Sequence, residues 1–534
     1  MKIDFREIYP RSIALLKKKQ YNTRTMMKSL PENLQGVHIH FVGIKGTGMA
    51  ALVEILFHSG AVITGSDVEE RFYTDDILEK LGLKSLPFSK ENITDKIQYV
   101  IYSSAYKPDK NPDLIEALRK NIPCLLYTQA LGAYSARSYS CGICGVHGKT
   151  STTGLTGTVL KELNLPVQVL AGSVINSFGG TCTYTSPMLK NSDNNLQKIF
   201  VAETCEYQRH FMSFCPQKII LTSVEPDHQD YYPTYESIRD AFVEYICKLP
   251  PGEDLIYCTD DKGATETAEI VKSKRSDINF IPYGTTASGD FHLTLKSVQN
   301  EKNIFELDLF KNSSALSDVS DFKLSVPGRH EVLDAAAAVA LVCRLLEKNN
   351  LSPKDYYNQI ALGLMNFTGG KRRSEIAGRF VSKSGNSVIV IDDYGHHPTA
   401  IKTTLEGYRE FYKGRKIIVD FMSHTYSRTQ ALLNEFSESL VCADEIILHK
   451  IYSSARENPS DFEITGKTLY EQVLKTGKSK DCVHYFEEVL DAKDFVIQLL
   501  NRPLSDKFPD GYLFVTMGAG DNWKLGKAVL NDYL

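Results

Sequence analysis

With 534 residues, 42% of them apolar, the chain has an ordinary globular composition and the length of about three or four domains. Its 61 basic and 65 acidic residues leave a formal charge of -4, which gives no reason to expect a polyanion or a membrane surface as the main partner. The 11 cysteines are odd in number and form no regular framework, so free thiols in a reducing compartment, the cytoplasm, are expected.

Residues 1–36 read as an N-terminal extension. Its opening, MKIDFREIYPRSIALLKKKQ, is charged throughout and lacks the apolar core of a signal peptide, and no later run is long enough to span a bilayer. From 37 to 139, the apolar runs VHIHFVGI, AVITGSD, YVIYSS and IPCLLY alternate with helical patterns, which predicts an α/β unit with a parallel sheet. A second set, 140–369, opens on YSCGIC, runs through GVHGKTSTTG (Gly145 to Gly154) and continues with KIFVAET and KIILTSV. In it, Ile238, Phe242 and Ile246 share one face of a predicted helix from Tyr235, and the alanine-rich Glu331 to Lys348 is expected to pack closely. Asn191 to Asn195 and the largely polar Ser288 to Asp321 read as surface excursions. The third set, 370–534, holds SVIVIDD, RKIIVDF, DEIILHK and YLFVTMGAGD, each ending in polar residues where open α/β sheets bind ligands.

A strand that feeds a glycine-containing turn and then a helix aims backbone N–H groups at an anion. That is the context of Gly145, Val146, His147, Gly148, Lys149, Thr150 and Ser151, although Ile143 stands where phosphate loops usually carry a further glycine. Lys149 can reach outer phosphates as a point charge, and Thr150 can set its hydroxyl on Mg²⁺. Alone, Gly-Lys-Thr is equally a polar helix start with a capping threonine; the strand before and the helix after decide for the anion. Glu203 after KIFVA and Asp227, His228 and Asp230 after KIILTSV supply acidic and imidazole groups at neighbouring strand ends. FVGIKGTGMA spaces its glycines as Gly43, Gly46 and Gly48, a variant of a dinucleotide turn, with Asp67 closing the next strand. Cys141 and Cys144 have the spacing of a zinc half-site, but nothing completes it, so buried strand thiols are expected. Adjacent His396 and His397 invite a zinc site; no nearby HxxE or ExxH motif completes one, and hydrogen-bonding roles are expected instead. Arg428 can fork onto a carboxylate.

Taken in order, HFVGIKGTGMA, GSD, YSSA, GVHGKTSTT, DHQDYY, VPGRHEVLDAAAA, DDYGHHP, HTYSRT and MGAGDNW resemble the Mur ligases of bacterial cell-wall synthesis, whose loop has the form Gly-x-x-Gly-Lys-Thr. The resemblance runs from Val37 to the end. It implies three domains: a Rossmann-like UDP-sugar domain (37–139), a central ATP-binding domain of the phosphate-loop type (140–369) and a Rossmann-like amino-acid domain (370–534). By position, Gly43, Gly46, Gly48, Ser66, Asp67, Ser103 and Ser104 would contact the uridine diphosphate, and Lys149 would hold ATP phosphates. Thr150, Glu203 and His228 would serve Mg²⁺. Arg372 or Arg373 would approach the γ-phosphate, Asp393 the ATP ribose, and Tyr394, His396, His424 and Arg428 the amino acid. The implied reaction joins L-alanine to the muramyl carboxylate of UDP-N-acetylmuramate through an acyl phosphate. Partners would be small molecules, with no nucleic acid and no membrane span, and the chain a monomer or weak dimer.

The chain departs from the family pattern in places. ETCEYQ (Glu203 to Gln208) stands where many members have EADESD, keeping the first glutamate, and Thr425 stands where some have arginine. Glu331 and Asp334 replace asparagines that commonly read adenine; ATP is still expected over GTP. Near YTQALGAYS the family's usual arginine is absent, leaving part of the sugar-nucleotide contact unassigned. Two alternatives stay open: a sister ligase that adds a whole tripeptide, from which SHTYSRT and YSSARE differ, and a nucleotide-binding module without catalysis, against which Lys149, Thr150, Glu203 and His228 speak.

Overall fold

The computed structural model describes residues 30–190, 196–229, 231–311, 321–453 and 457–533; the expectations for Asn191 to Asn195, Asp230 and most of the N-terminal extension lie outside them. The first sheet contains β1 (His38–Val42), β2 (Val62–Ser66), β3 (Tyr99–Tyr102) and β4 (Cys124–Leu126), all parallel in the order β2-β1-β3-β4. The order of strand addition reverses beside β1, so the turn at Gly43 opens at the sheet's switch point.

The second sheet has β5 (Tyr139–Cys144), β6 (Val167–Ile175), β7 (Thr181–Thr185), β8 (Ile199–Glu203), β9 (Lys218–Leu221), β10 (Asp254–Cys258) and β11 (Asn279–Tyr283). Their order is β11-β10-β9-β5-β8-β6-β7, with β7 antiparallel. Every residue of β5 is buried, as a central parallel strand covered on both faces requires. Cys141 and Cys144 lie inside it as expected, and burial pushes the Cys141 thiol up to about 12. The helices Tyr235–Ile246 and Arg329–Lys348 form as their periodicity predicts, with Ile238, Phe242, Ile246 and Ala335 through Ala338 fully buried.

One expectation is corrected. Residues 288–311 do not form a mere surface excursion, 312–320 lying outside the described residues: β12 (Leu293–Val298), β13 (Asn303–Leu307) and β14 (Phe322–Leu324) make an antiparallel sheet in which Phe305 is buried against Phe322, and Phe322 packs on Tyr357 together with Phe310 from the short helix Asp308–Lys311. One face is apolar and the other charged, so average polarity hides the alternation that matters.

The fourth sheet contains β15 (Glu375–Val381), β16 (Ser387–Asp393), β17 (Arg415–Phe421), β18 (Glu445–Leu448), β19 (Val483–Tyr485) and β20 (Gly511–Met517), ordered β15-β16-β20-β17-β18-β19 with β15 antiparallel. Beneath its carboxyl edge, His449 Nε2 and Asp420 Oδ1 pair at 2.5 Å with both side chains fully buried, and Asn522 Nδ2 donates to Asp420 Oδ2 at 3.1 Å. Burial opposes charge on the imidazole, but Asp420 outweighs it and the His449 pKa is raised above the ordinary 6.5. A raised folded-state pKa stabilises fully below that ordinary value, and the stabilisation fades as pH rises through the folded value. His449→Gln should therefore cost the C-terminal sheet more stability at pH 6 than at pH 9, as read by urea unfolding.

Candidate active site

β5 runs into Gly145 (φ 142) and the loop closes on Gly148 (φ 79), both at the positive φ that glycine tolerates. A Cβ on Gly145 would lie 2.0 Å from Thr222 Oγ1, and one on Gly148 2.5 Å from Asp334 Oδ1, so neither position admits a side chain. Gly148 is the N-cap of the helix Lys149–Glu162, whose first-turn amides have no partners within the helix.

Lys149 Nζ donates to Gly145 O at 2.6 Å and Val146 O at 3.1 Å and pairs with Glu206 Oε2 at 3.0 Å. Burial alone would lower the lysine's pKa; Glu206 outweighs it and keeps the ammonium charged. Burial likewise pushes Glu206 up, but Lys149 and His228 hold its carboxyl below the usual range, with His228 Nε2 at 3.3 Å. Thr150 Oγ1 donates to Glu203 Oε2 at 2.8 Å, and Gly172 N donates to the same oxygen at 2.7 Å. The geometry thus joins Lys149 to His228 through Glu206, and Thr150 to Glu203.

A cavity of about 350 Å³ opens over this loop, and Val146 through Ser151, Glu331, Asp334, Arg373, Asp393 and His396 are among the residues lining it. It draws on both the second and fourth sheets. Among its lining atoms, Glu331 Oε2 and His330 Nδ1 are buried with no hydrogen-bond partner, the state of groups that await a ligand. Burial pushes Glu331 up to about 7 and His330 down to about 4; burial and the neighbouring Glu331 drive Asp334 well above the carboxylate range.

A second cleft, of about 500 Å³, is lined by Gly46, Thr47, Gly48, Ser103, Ser104, Gln208 and Arg209. A Cβ on Gly43 would come within 2.6 Å of the Tyr106 ring, and one on Gly48 within 2.9 Å of Tyr127. Asp67 accepts from Lys45 N at 2.7 Å, Val68 N at 2.8 Å and Tyr106 Oη at 2.8 Å, so its carboxylate braces the turn. Ser66 is buried, its O accepting from Gly43 N at 2.8 Å.

On the fourth sheet, Arg428 Nη1 donates to His424 O at 3.0 Å and Nη2 to Asp227 Oδ1 at 3.1 Å, which links the fourth sheet to the second. His396 Nδ1 sits 3.0 Å from Tyr394 O, and the guanidiniums of Arg372 and Arg373 lie 5.4 and 5.5 Å from the Tyr394 ring centre. The two arginines diverge. Arg372 is taken up by Asp392 Oδ2 at 3.0 Å and Gly518 O at 2.6 Å, whereas Arg373 lines the cavity. Asp393 accepts from Ser374 N and Gly395 N, each at 2.7 Å. Gln208, Arg209, His228, Arg372 and Ser374 all have positive φ, a strained backbone that clusters at functional sites.

Comparison with known proteins decides the family. A model of the Mur ligase family catalytic domain matches residues 38–139, one of the Mur ligase middle domain matches 143–342, and one of the Mur ligase glutamate ligase domain matches 373–520. A UDP-N-acetylmuramate–L-alanine ligase of Treponema pallidum is 44% identical over 507 residues, 95% of this chain and 98% of its own length. The enzyme of the same name from Borrelia garinii is 36% identical over 93% of this chain and 98% of its own. The chain belongs to the Mur ligase family.

The fold of this Mur ligase is that of a UDP-N-acetylmuramate-alanine ligase from Thermotoga maritima (TM-score 0.70, 24% identity, 93% of this chain and 98% of that one). A murein peptide ligase from Psychrobacter arcticus is also similar (TM-score 0.59, 21% identity, the same two coverages). Glu331 and Asp334 are both buried beside the loop, and burial pushes both carboxyls up toward the protonated form. An acid held neutral offers a donor and an acceptor, as an amide does. Glu206 and Arg209 are the residues that sequence reasoning missed. Glu206 lies inside the divergent ETCEYQ, three residues beyond Glu203, and the signal that could have found it is a second carboxylate just past the same strand end.

Proposed function

We propose that this chain is an ATP-dependent ligase of peptidoglycan precursor synthesis, joining L-alanine to the muramyl carboxylate of UDP-N-acetylmuramate in the cytoplasm. The observation that carries the reading is near full-length identity to the Treponema pallidum ligase of that name. A muramyl carboxylate oxygen attacks the γ-phosphorus of ATP, the bond to the β-phosphate oxygen breaks, and ADP leaves. The resulting acyl phosphate is attacked at its carbonyl carbon by the neutral amine of L-alanine, and phosphate departs from the tetrahedral intermediate as the amide forms.

The protein's task is to position charged groups and spread charge. Lys149 would exchange Gly145 O, Val146 O and Glu206 for phosphate oxygens, and Arg373 would meet the γ-phosphate from the cavity wall. Arg372, held on Asp392 and Gly518, would position the segment between them. Thr150 and Glu203 present hard oxygen donors 2.8 Å apart, a set that suits Mg²⁺, with His228 at the far side of Glu206. Bound there, Mg²⁺ supplies neutralising charge for the triphosphate. Ser103, Ser104 and the glycines after β1 would receive the uridine diphosphate, and Arg209, which lines the same cleft, would stand in for the arginine absent near YTQALGAYS.

ADP release should require UDP-N-acetylmuramate and L-alanine together; preference for a tripeptide acceptor would overturn the assignment. Arg209→Ala should raise KM for UDP-N-acetylmuramate about tenfold, the loss of one charged hydrogen bond, with KM for ATP nearly unchanged. Steady-state kinetics with each substrate varied in turn measures both.

A further inference from the structure

Local spacing argues against a zinc site at His396 and His397, but the fold completes one from distant segments. His147 Nε2 contacts Glu225 Oε1, and His397 Nδ1 lies 3.6 Å from the same oxygen. The three ligand atoms all fall within 4.8 Å of one another, and the two imidazole centres are 5.2 Å apart. His397 is 7% exposed and its Nδ1 has no hydrogen-bond partner, so a buried nitrogen lone pair or N–H points at the carboxylate unfilled. The surroundings are fixed: Thr399 Oγ1 donates to Glu225 Oε2 at 3.3 Å, and His147 N donates to Ser223 Oγ at 2.9 Å. Such outer partners orient ligands at metal centres.

We propose that His147, Glu225 and His397 form a binding site for a borderline divalent metal ion, Zn²⁺ by its chemistry, that ties the phosphate-binding loop to the helix Pro398–Phe411. Two imidazoles and one carboxylate are the donor set of open zinc sites, whereas Mg²⁺ prefers oxygen alone. Ligands about 2.0–2.1 Å from a tetrahedral ion stand roughly 3.3 Å apart, so small side-chain rotations close the set. His397 caps the helix Pro398–Phe411 beside the fourth sheet, while His147 and Glu225 follow β5 and β9 of the second. The ion therefore bridges the two walls of the nucleotide cavity, and its binding slows turnover by holding them together.

The full-length protein is titrated with Zn²⁺ by calorimetry in excess Mg²⁺, and with Co²⁺ while the visible spectrum is followed. Binding should weaken at least about tenfold in both His397→Gln and Glu225→Gln, a loss that even outer-shell changes cause, and persist in His228→Ala, which alters the Mg²⁺ side. Zn²⁺ should inhibit ADP release by the wild type at lower concentration than by His397→Gln. Co²⁺ should give the intense visible bands of a four- or five-coordinate nitrogen and oxygen site. Unchanged Zn²⁺ affinity in the two variants, loss of binding in His228→Ala alone, or a thiolate-to-cobalt band would each overturn the proposal. Circular dichroism identifies a variant that fails to fold, and the other then carries the test.

Discussion

Lys149→Ala should lower the rate of ADP release by at least about a hundred- to a thousandfold, the scale on which removing one preorganised group from a developing charge is felt. The ammonium is the cation held at the mouth of the phosphate loop, bonded to two loop carbonyls and Glu206. Its loss also has a structural side. Glu206 is 2% exposed and would lose its lysine partner, keeping His228 Nε2 at 3.3 Å, and a broken buried pair costs about 3–5 kcal/mol. The two effects separate in Lys149→Ala/Glu206→Gln, which removes the stranded charge. That double variant should regain most of the melting temperature lost in the single variant and none of the turnover. Recovery of turnover would show that the lysine acts only through the fold.

Arg428→Ala should raise KM for L-alanine about ten- to hundredfold, the worth of one charge-assisted hydrogen bond or more, and leave KM for ATP within about a factor of three, as expected between separated sites. Arg428 is 12% exposed and uses Nη1 on His424 O and Nη2 on Asp227, while its Nε is buried without a partner. A carboxylate arriving at Nε and Nη2 would compete with Asp227 for the fork. Burial pushes Asp227 up, but His228 and Arg428 outweigh it and hold its carboxyl well below the usual range, so the link between the sheets is ionic before any substrate arrives. Arg428→Lys keeps the charge and loses the planar fork. It should leave KM for ATP unchanged and restore KM for L-alanine only in part, as steady-state kinetics with each substrate varied will read.

What was legible in the chain follows from range. β5, its loop and the helix after it are contiguous, so Gly145 to Ser151 could be placed from strand, turn and helix signals alone. Glu203 was legible because it ends an apolar run. Buried helical faces such as Ile238, Phe242 and Ile246 carry their own period. The pairings across the molecule were not legible. Asp67 could be placed after its strand, but not its bonds to Lys45 N, Val68 N and Tyr106, the last a residue 39 positions away. His147 and Glu225 are separated by 78 positions, so no local motif could announce that they complete a cluster with His397. Arg209 reaches the first sheet's cleft from the second unit by a positive-φ turn that no propensity marks. The upward push on the Asp334 carboxyl comes from burial, which composition does not reveal.

The central claim is that the group gripped by the loop after β5 passes to a sugar acid before the amine attacks. UDP-N-acetylmuramate carrying a heavy-oxygen label in its muramyl carboxylate, turned over with ATP and L-alanine, tests it most directly by mass spectrometry of the products. The account predicts that one labelled oxygen per turnover appears in the released phosphate and the other stays in the new amide. Unlabelled phosphate beside a doubly labelled carboxylate would mean that ATP is merely hydrolysed, and would contradict it.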